Sequence, residues 1–202
     1  MNCSGQYNIS FGANLISKPT IQRYDENTDE YKDTPASFVE INPLDSNDRD
    51  AVWDAVHSWN YDSYGVNVAN NMESIAENEV IDSPDKIYAI TSQDKDYSHL
   101  KSDKIEALAH AFETNKRVRL MYLQVNPDWV YSLGTPELKY VGKGIMDALK
   151  EKYNDRSIIL VPAAHAVKFY EKQGFEHCNN GENAMIWNKE AEKGSEYENE
   201  YW

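Results

Sequence analysis

The chain has 202 residues, 41% of them hydrophobic and 27% charged, and a formal net charge of −14. Those values suit a soluble domain with a real core, alone or with extensions, and no apolar run approaches the roughly 20 residues of a bilayer-spanning helix. The acid excess argues against a nucleic acid partner, which needs a basic face, and fits either plain solubility or attraction of a cationic substrate such as a primary amine.

The first residues, MNCSGQYNISFG, have neither a basic start nor a long apolar segment, so no secretory signal is expected. Cys3 and Cys178 are far apart and lack zinc-ligand spacing with a histidine. They read as unpaired thiols of a reducing cytoplasm, and no metal site is expected. Residues 1–35 are polar, with an acidic run at Tyr24–Asp33, and read as an extension or hairpin arm; short strands are allowed at Leu15–Arg23.

Ala36–Pro43 reads as a strand closed by proline, and Asp45–Asn60 as a helix with Val52, Ala55, Val56 and Trp59 on its apolar face. Val68, Met72, Ile75 and Ala76 mark a second helix. A turn at Ser83–Asp85 leads into a strand at Lys86–Ser92, and a polar loop at Asp96–Lys104 follows. Ile105–Thr114 reads as a strand, with Ile105, Ala107, Ala109 and Ala111 on one face and Glu106, Leu108, His110 and Phe112 on the other. A turn at Thr114–Asn115 connects it to the strand Val118–Val125.

An insert, Asp128–Leu138, precedes a helix with Val141, Ile145, Leu149 and Tyr153 at four-residue spacing. A strand at Ser157–Ala163, a helix at Ala166–Phe175 and a last strand at Asn183–Asn188 complete an α/β layout around one mixed sheet. The folded domain is expected over 36–188, and the charged tail 189–202 is expected to be flexible.

Two features carry chemistry. Lys139-x-x-Gly142-x-Gly144 sits at a helix start, where backbone N–H groups are free and carry partial positive charge. Glycines there would let a pyrophosphate approach closely, although an ordinary glycine-containing loop gives the same pattern. It is not the dinucleotide fingerprint, because Asp147 stands where a third glycine belongs. The second feature is AVKFYEKQGF, which places Ala166, Phe169 and Tyr170 on one helix face and ends at Gly174. Tyr170 is there either a half-buried packing ring or a phenol reaching a reacting centre.

In that order, and with the strand at Ser157–Ala163 between them, these segments resemble the GNAT-type N-acetyltransferase superfamily, most specifically over Val118–Phe175. The resemblance implies a central mixed, largely antiparallel sheet with helices on both faces, splayed between the fourth and fifth core strands. It implies acetyl-CoA as acyl donor. The backbone of Leu123, Gln124 and Val125 would pair with the pantetheine arm. The loop Lys139, Tyr140, Val141, Gly142, Lys143, Gly144 and Ile145 would take the pyrophosphate, and Tyr170 would protonate the leaving thiolate. The chain departs from the family pattern in three places. Lys139 replaces a glutamine or arginine, the Asp128–Leu138 insert is long, and Ala163 stands where an asparagine commonly holds the cofactor arm.

The implied reaction is direct attack of an amine on the thioester. Glu106 and His110 are candidate bases, each of which also reads as an ordinary strand residue. The acceptor, a small-molecule or protein amine, is expected between the first two helices and the insert, where Trp53, Trp59, Tyr61, Tyr64, Trp129 and Tyr131 concentrate. Trp53 and Trp59 also read as core. A homodimer is compatible with the resemblance. The alternatives are a non-catalytic acyl-CoA-binding module, or an acidic interaction protein that works through its arm and tail.

Overall fold

The computed structural model describes residues 12–59, 64–130, 134–178 and 183–188. Cys3, Tyr61, Tyr131 and the acidic tail lie outside them. In chain order the strands and helices are β1 (Asn14–Ser17), β2 (Thr20–Asp25), β3 (Glu30–Pro35), β4 (Ser37–Ile41), α1 (Ser46–Ser58) and α2 (Tyr64–Glu77). Next come β5 (Asp85–Thr91), β6 (Ile105–Glu113), β7 (Arg117–Val125), α3 (Pro127–Val130), β8 (Leu138–Lys139) and α4 (Val141–Lys152). The chain continues through β9 (Ser157–Leu160), α5 (Val167–Lys172), β10 (Glu176–His177) and β11 (Met185–Trp187).

Among the described residues an eight-stranded sheet runs in the order β1-β4-β5-β6-β7-β9-β11-β10. Its pairs are antiparallel except β7 with β9, which are parallel. Helices cover both faces. Val39, Ile41, Ile87, Ala89 and Leu108 pack with Val52, Val56, Val68 and Met72 of α1 and α2. On the opposite face Phe38, Tyr88, Ala107, Ala109 and Ala111 pack with Val141, Ile145 and Leu149 of α4 and with Tyr153 just beyond it. The four-residue spacing of that helix is its buried stripe. Helix α1 begins at Asp45, whose carboxylate accepts the Asn47 N–H at 2.8 Å and so satisfies one of the end's free donors. Trp59 is buried and Trp53 is half-buried, donating from its indole to Glu73 at 2.9 Å.

The splay lies between the fourth and fifth core strands, β7 and β9. Their register runs from Arg117↔Ser157 to Leu120↔Leu160, and β7 then continues to Val125. Opposite β6, His110 pairs with Tyr122 but Ala111 with Leu120, so Met121 is an extra residue in β7. A bulge of this kind bends its strand. It also places Leu120 and Leu123 on the same face of the sheet. The fifth core strand stops at Leu160, short of Ala163, because Pro162 has no N–H to give to a ladder.

A second bulge corrects the simple alternation expected along Ile105–Thr114. Ile90 pairs with Ala107 and Thr91 with Ile105, which leaves Glu106 as the extra residue. Ile105 therefore packs with Leu108 toward α1 and α2, while Glu106 turns toward Trp129 of α3. Helix α5 is shorter than expected at its start, because Ala164–Ala166 form a 3-10 turn. It ends at Gly174, whose φ of 82° allows the Phe175 N–H to close on the Tyr170 carbonyl at 3.1 Å.

A three-stranded sheet in the order β3-β2-β8 joins the first segment to the insert. Strand β2 pairs antiparallel with β3 and, on its other edge, with β8 through Gln22↔Lys139 and Arg23↔Leu138. Ile21 and Leu138 are both buried in the core under α4.

A polar cluster joins β5, β6 and the turn between α4 and β9. The Tyr88 phenol donates to Glu113 at 3.1 Å, the Tyr153 phenol donates to the same carboxylate, and Arg156 reaches it at 3.3 Å. Burial alone would push Glu113 up, but the two phenols and Arg156 outweigh it and hold the carboxyl below its ordinary range. Burial raises both phenols.

Candidate functional site

The site is built on the half of β7 beyond the bulge. Leu123 and Val125 face α4 and are half-buried there. Tyr122 and Gln124 face the other way, toward α2. Gln124 is occupied within the protein: its amide oxygen accepts the Tyr64 N–H at 3.2 Å and its amide nitrogen donates to the Val125 carbonyl at 2.6 Å. That contact fixes the start of α2 against the strand. Tyr64 stacks on Tyr122 with centroids 6.1 Å apart, and Tyr122 stacks on His110 at 6.0 Å. Met121, Val161, Tyr140 and Tyr64 are exposed apolar side chains on the segments bordering the split, an unusual concentration for a solvent-facing surface.

The second wall is the start of α4. Tyr140 is its N-terminal cap residue, in the left-handed conformation (φ 61°, ψ 17°), and caps no N–H with its side chain. Its carbonyl accepts the Gly144 N–H at 2.8 Å. The N–H groups of Val141, Gly142 and Lys143 precede the helix's own ladder and carry its positive pole. The side chains of Val141 and Ile145 are core, so only their backbone can meet a ligand. Tyr140 and Lys143 face outward, and Lys143 pairs with Asp147 one turn on. A Cβ at Gly142 would lie 3.3 Å from Val125 Cγ2 and 3.4 Å from the Phe169 ring. One at Gly144 would lie 3.2 Å from Ile21 Cγ2. Both glycines thus let α4 press against its neighbours. The Lys139 ammonium lies 3.7 Å from the centroid of the Tyr31 ring.

Tyr170 comes from α5. Its ring is wedged edge-on between Phe169, at 5.1 Å, and Phe175, at 5.7 Å. Burial, with a smaller contribution from Tyr64, pushes its phenol up to about 12. The phenol therefore stays protonated across the physiological range, as a donor must. Ala163 opens the 3-10 turn before α5; its carbonyl accepts the Ala166 N–H at 2.8 Å and its methyl offers no hydrogen bond. His165 beside it is exposed.

The two candidate bases face opposite sides of β6. Glu106 is 4% exposed and accepts the Trp129 indole N–H at 2.7 Å. Burial pushes its carboxyl above the ordinary range, while Ser92 and Trp129 hold it back. His110 is 2% exposed, with Nε2 at 2.6 Å from Asp85 Oδ1. Its Nδ1 is buried without a hydrogen-bond partner among the described residues. The structure brings Tyr64 close enough to affect Tyr170 and seals Glu106 and His110 inside the protein. Ile21 and Tyr31, which support the α4 entry, are not legible as site residues in sequence, because they lie more than a hundred positions from the motif they touch.

No protein-family model and no curated protein matches the chain. Among solved structures it is similar to a provisionally named acetyltransferase of Exiguobacterium sp. 255-15, with 12% identity over 78% of this chain and 96% of that one and a TM-score of 0.48. It is similar to the Bacillus subtilis N-acetyltransferase YlbP in complex with coenzyme A, with 17% identity over 68% and 89% and a TM-score of 0.45. It is also similar to mutant forms of the spermidine/spermine N-acetyltransferase SpeG of Vibrio cholerae, with 15% identity over 75% and 93% and a TM-score of 0.46. All three scores lie below 0.5, so the reading of the site rests on this chain's own residues.

Proposed function

We propose that the chain binds acetyl-coenzyme A in the split between β7 and β9 and transfers the acetyl group to an amine. The observation that carries this reading is the bulge at Met121. It bends β7 one residue after Leu120↔Leu160, where β9 itself ends, and the β9 side of Leu123–Val125 has no register partner among the described residues. Apart from the Val125 carbonyl, which accepts from Gln124, the peptide groups of such an edge can pair with the amides of a pantetheine arm. The motif Lys139–Gly144 stands beside that edge, with Gly142 against Val125, and its uncapped N–H groups suit the cofactor's pyrophosphate.

In this reading the neutral amine attacks the thioester carbonyl and the new N–C bond forms as the carbonyl electrons move to oxygen. A backbone N–H near Leu123 or Gln124 stabilises that oxyanion. The C–S bond then breaks, the departing thiolate takes the proton of the Tyr170 hydroxyl, and the phenolate regains a proton from solvent. Glu106 and His110 are too buried to meet the amine, so the excess proton of the acceptor leaves to solvent.

The test is a calorimetric titration with acetyl-coenzyme A, with adenosine diphosphate as control, followed by thiol release on a panel of amines. Saturable binding selective for the thioester and release of free thiol are expected. Binding without release on any amine would make the chain a non-catalytic acyl-CoA-binding module. Absence of binding by the folded protein would favour an acidic interaction protein.

A further inference from the structure

We propose that the β2–β3 hairpin is a working part of the cofactor site, and that Tyr31 is a positioning residue acting through Lys139. The inference rests on the reading above and extends it to residues outside the Lys139–Gly144 motif.

Six contacts converge on the entry to α4. Strand β8, which ends one residue before Tyr140, exists only as the partner of β2, through Gln22↔Lys139 and Arg23↔Leu138. The Tyr24 N–H donates to the Glu137 carbonyl at 2.8 Å, and Arg23 pairs with the Glu137 carboxylate at 2.6 Å. Below the helix, Ile21 occupies the space that a side chain at Gly144 would need. Above it, Tyr31 donates from its hydroxyl to the Pro136 carbonyl at 2.7 Å and lays its ring under the Lys139 ammonium.

Tyr140 lies between these contacts in a left-handed conformation that is strained for a tyrosine. Such a conformation persists only where the surroundings over-determine it. Here the surroundings are the hairpin: β2 fixes the two residues before Tyr140, and Ile21 fixes the glycine four residues after it. The same turn aims the free N–H groups of Val141, Gly142 and Lys143 out of the helix. A lysine ammonium is a compact charge on a flexible stem, and an aromatic face beneath it limits that freedom without neutralising it. The hairpin therefore preorganises both cationic elements that an anionic cofactor would meet.

The experiment compares Tyr31→Leu, Tyr31→Phe and Lys139→Met in the full-length protein, each first titrated with coenzyme A and then assayed with acetyl-coenzyme A. Tyr31→Leu is expected to raise KM for acetyl-coenzyme A roughly tenfold with kcat within about twofold. Tyr31→Phe, which keeps the ring, is expected to restore most of the affinity. In the Lys139→Met background, Tyr31→Leu is expected to add nothing. Affinity that is unchanged or tighter in Tyr31→Leu, while the wild type binds coenzyme A, would overturn this inference alone. A folded wild type that binds no coenzyme A would overturn the proposed function, and this inference with it.

Discussion

Leu120 of β7 and Leu160 of β9 form the last register pair of the parallel strands, and the next residue of β7, Met121, is a bulge against β6. The bulge and the end of β9 thus coincide, and they leave the rest of β7 as the surface proposed to bind the cofactor. The chemistry proposed for that surface is tested most directly at Tyr170. Tyr170→Phe keeps the ring between Phe169 and Phe175 and removes only the hydroxyl. Turnover is expected to fall about 100-fold or more with KM for acetyl-coenzyme A within about twofold. Unchanged turnover would remove Tyr170 from the acid's role. Because burial lifts the phenol to about 12, no loss of activity attributable to its ionisation is expected below about pH 10.

Glu106→Gln separates a buried structural carboxyl from a base. The amide can still accept the Trp129 N–H, and no charge remains to be buried. Its kcat is expected to stay within about threefold of wild type. A loss on the order of 100-fold, together with disappearance of the acidic limb of the pH–rate profile, would make Glu106 the base.

Asp48, in the first turn of α1, is wholly buried, accepts the Asn42 N–H at 3.0 Å, and has a second carboxyl oxygen without a hydrogen-bond partner among the described residues. Burial pushes this carboxyl up to about 7, well above the ordinary range of an aspartate. The folded protein therefore holds more protons than the unfolded chain between about pH 4 and 7, and the contribution of Asp48 to stability falls as pH rises through that window. Relative to wild type, Asp48→Asn is expected to gain stability progressively from pH 4 to 7, by up to roughly 4 kcal/mol, and then level off. Urea unfolding midpoints across the range measure it. A difference independent of pH would contradict the burial argument.

In the polar cluster beside β5 and β6, Tyr153→Phe removes one of the donors to the half-buried Glu113 while leaving Tyr88 and Arg156 in place. A loss of about 1–3 kcal/mol in chemical denaturation is expected, with KM for acetyl-coenzyme A unchanged. A change in KM without a change in stability would tie this cluster to ligand binding instead.

Periodic apolar spacing made the main elements legible in the sequence. Val141, Ile145, Leu149 and Tyr153 repeat every four residues and all four are buried. The strand character of Ile105–Glu113 was likewise readable, but the direction of Glu106 was not. Its bulge is a mismatch between β5 and β6, and no pattern within a single strand records a mismatch with its neighbour. The bulge at Met121 escaped for the same reason. Strand β8 has two residues and exists because β2 lies beside it. Strands β2 and β3 carry charged and polar side chains on largely solvated faces, so they lack the alternation that marks a half-buried strand. The motif Lys139–Gly144 could be read as a string, whereas Ile21 and Tyr31 could be assigned to it only after folding.

The parallel ladder from Arg117↔Ser157 to Leu120↔Leu160 gives the split a fulcrum. One strand stops at Leu160 while its neighbour runs on to Val125, so the opening is built into the folded chain. If acetyl-coenzyme A binds there as proposed, it does not have to prise the strands apart, because the edge is already unpaired in the folded chain. The cost of opening falls on the stability of the whole domain, and the cofactor's own contacts remain available as affinity.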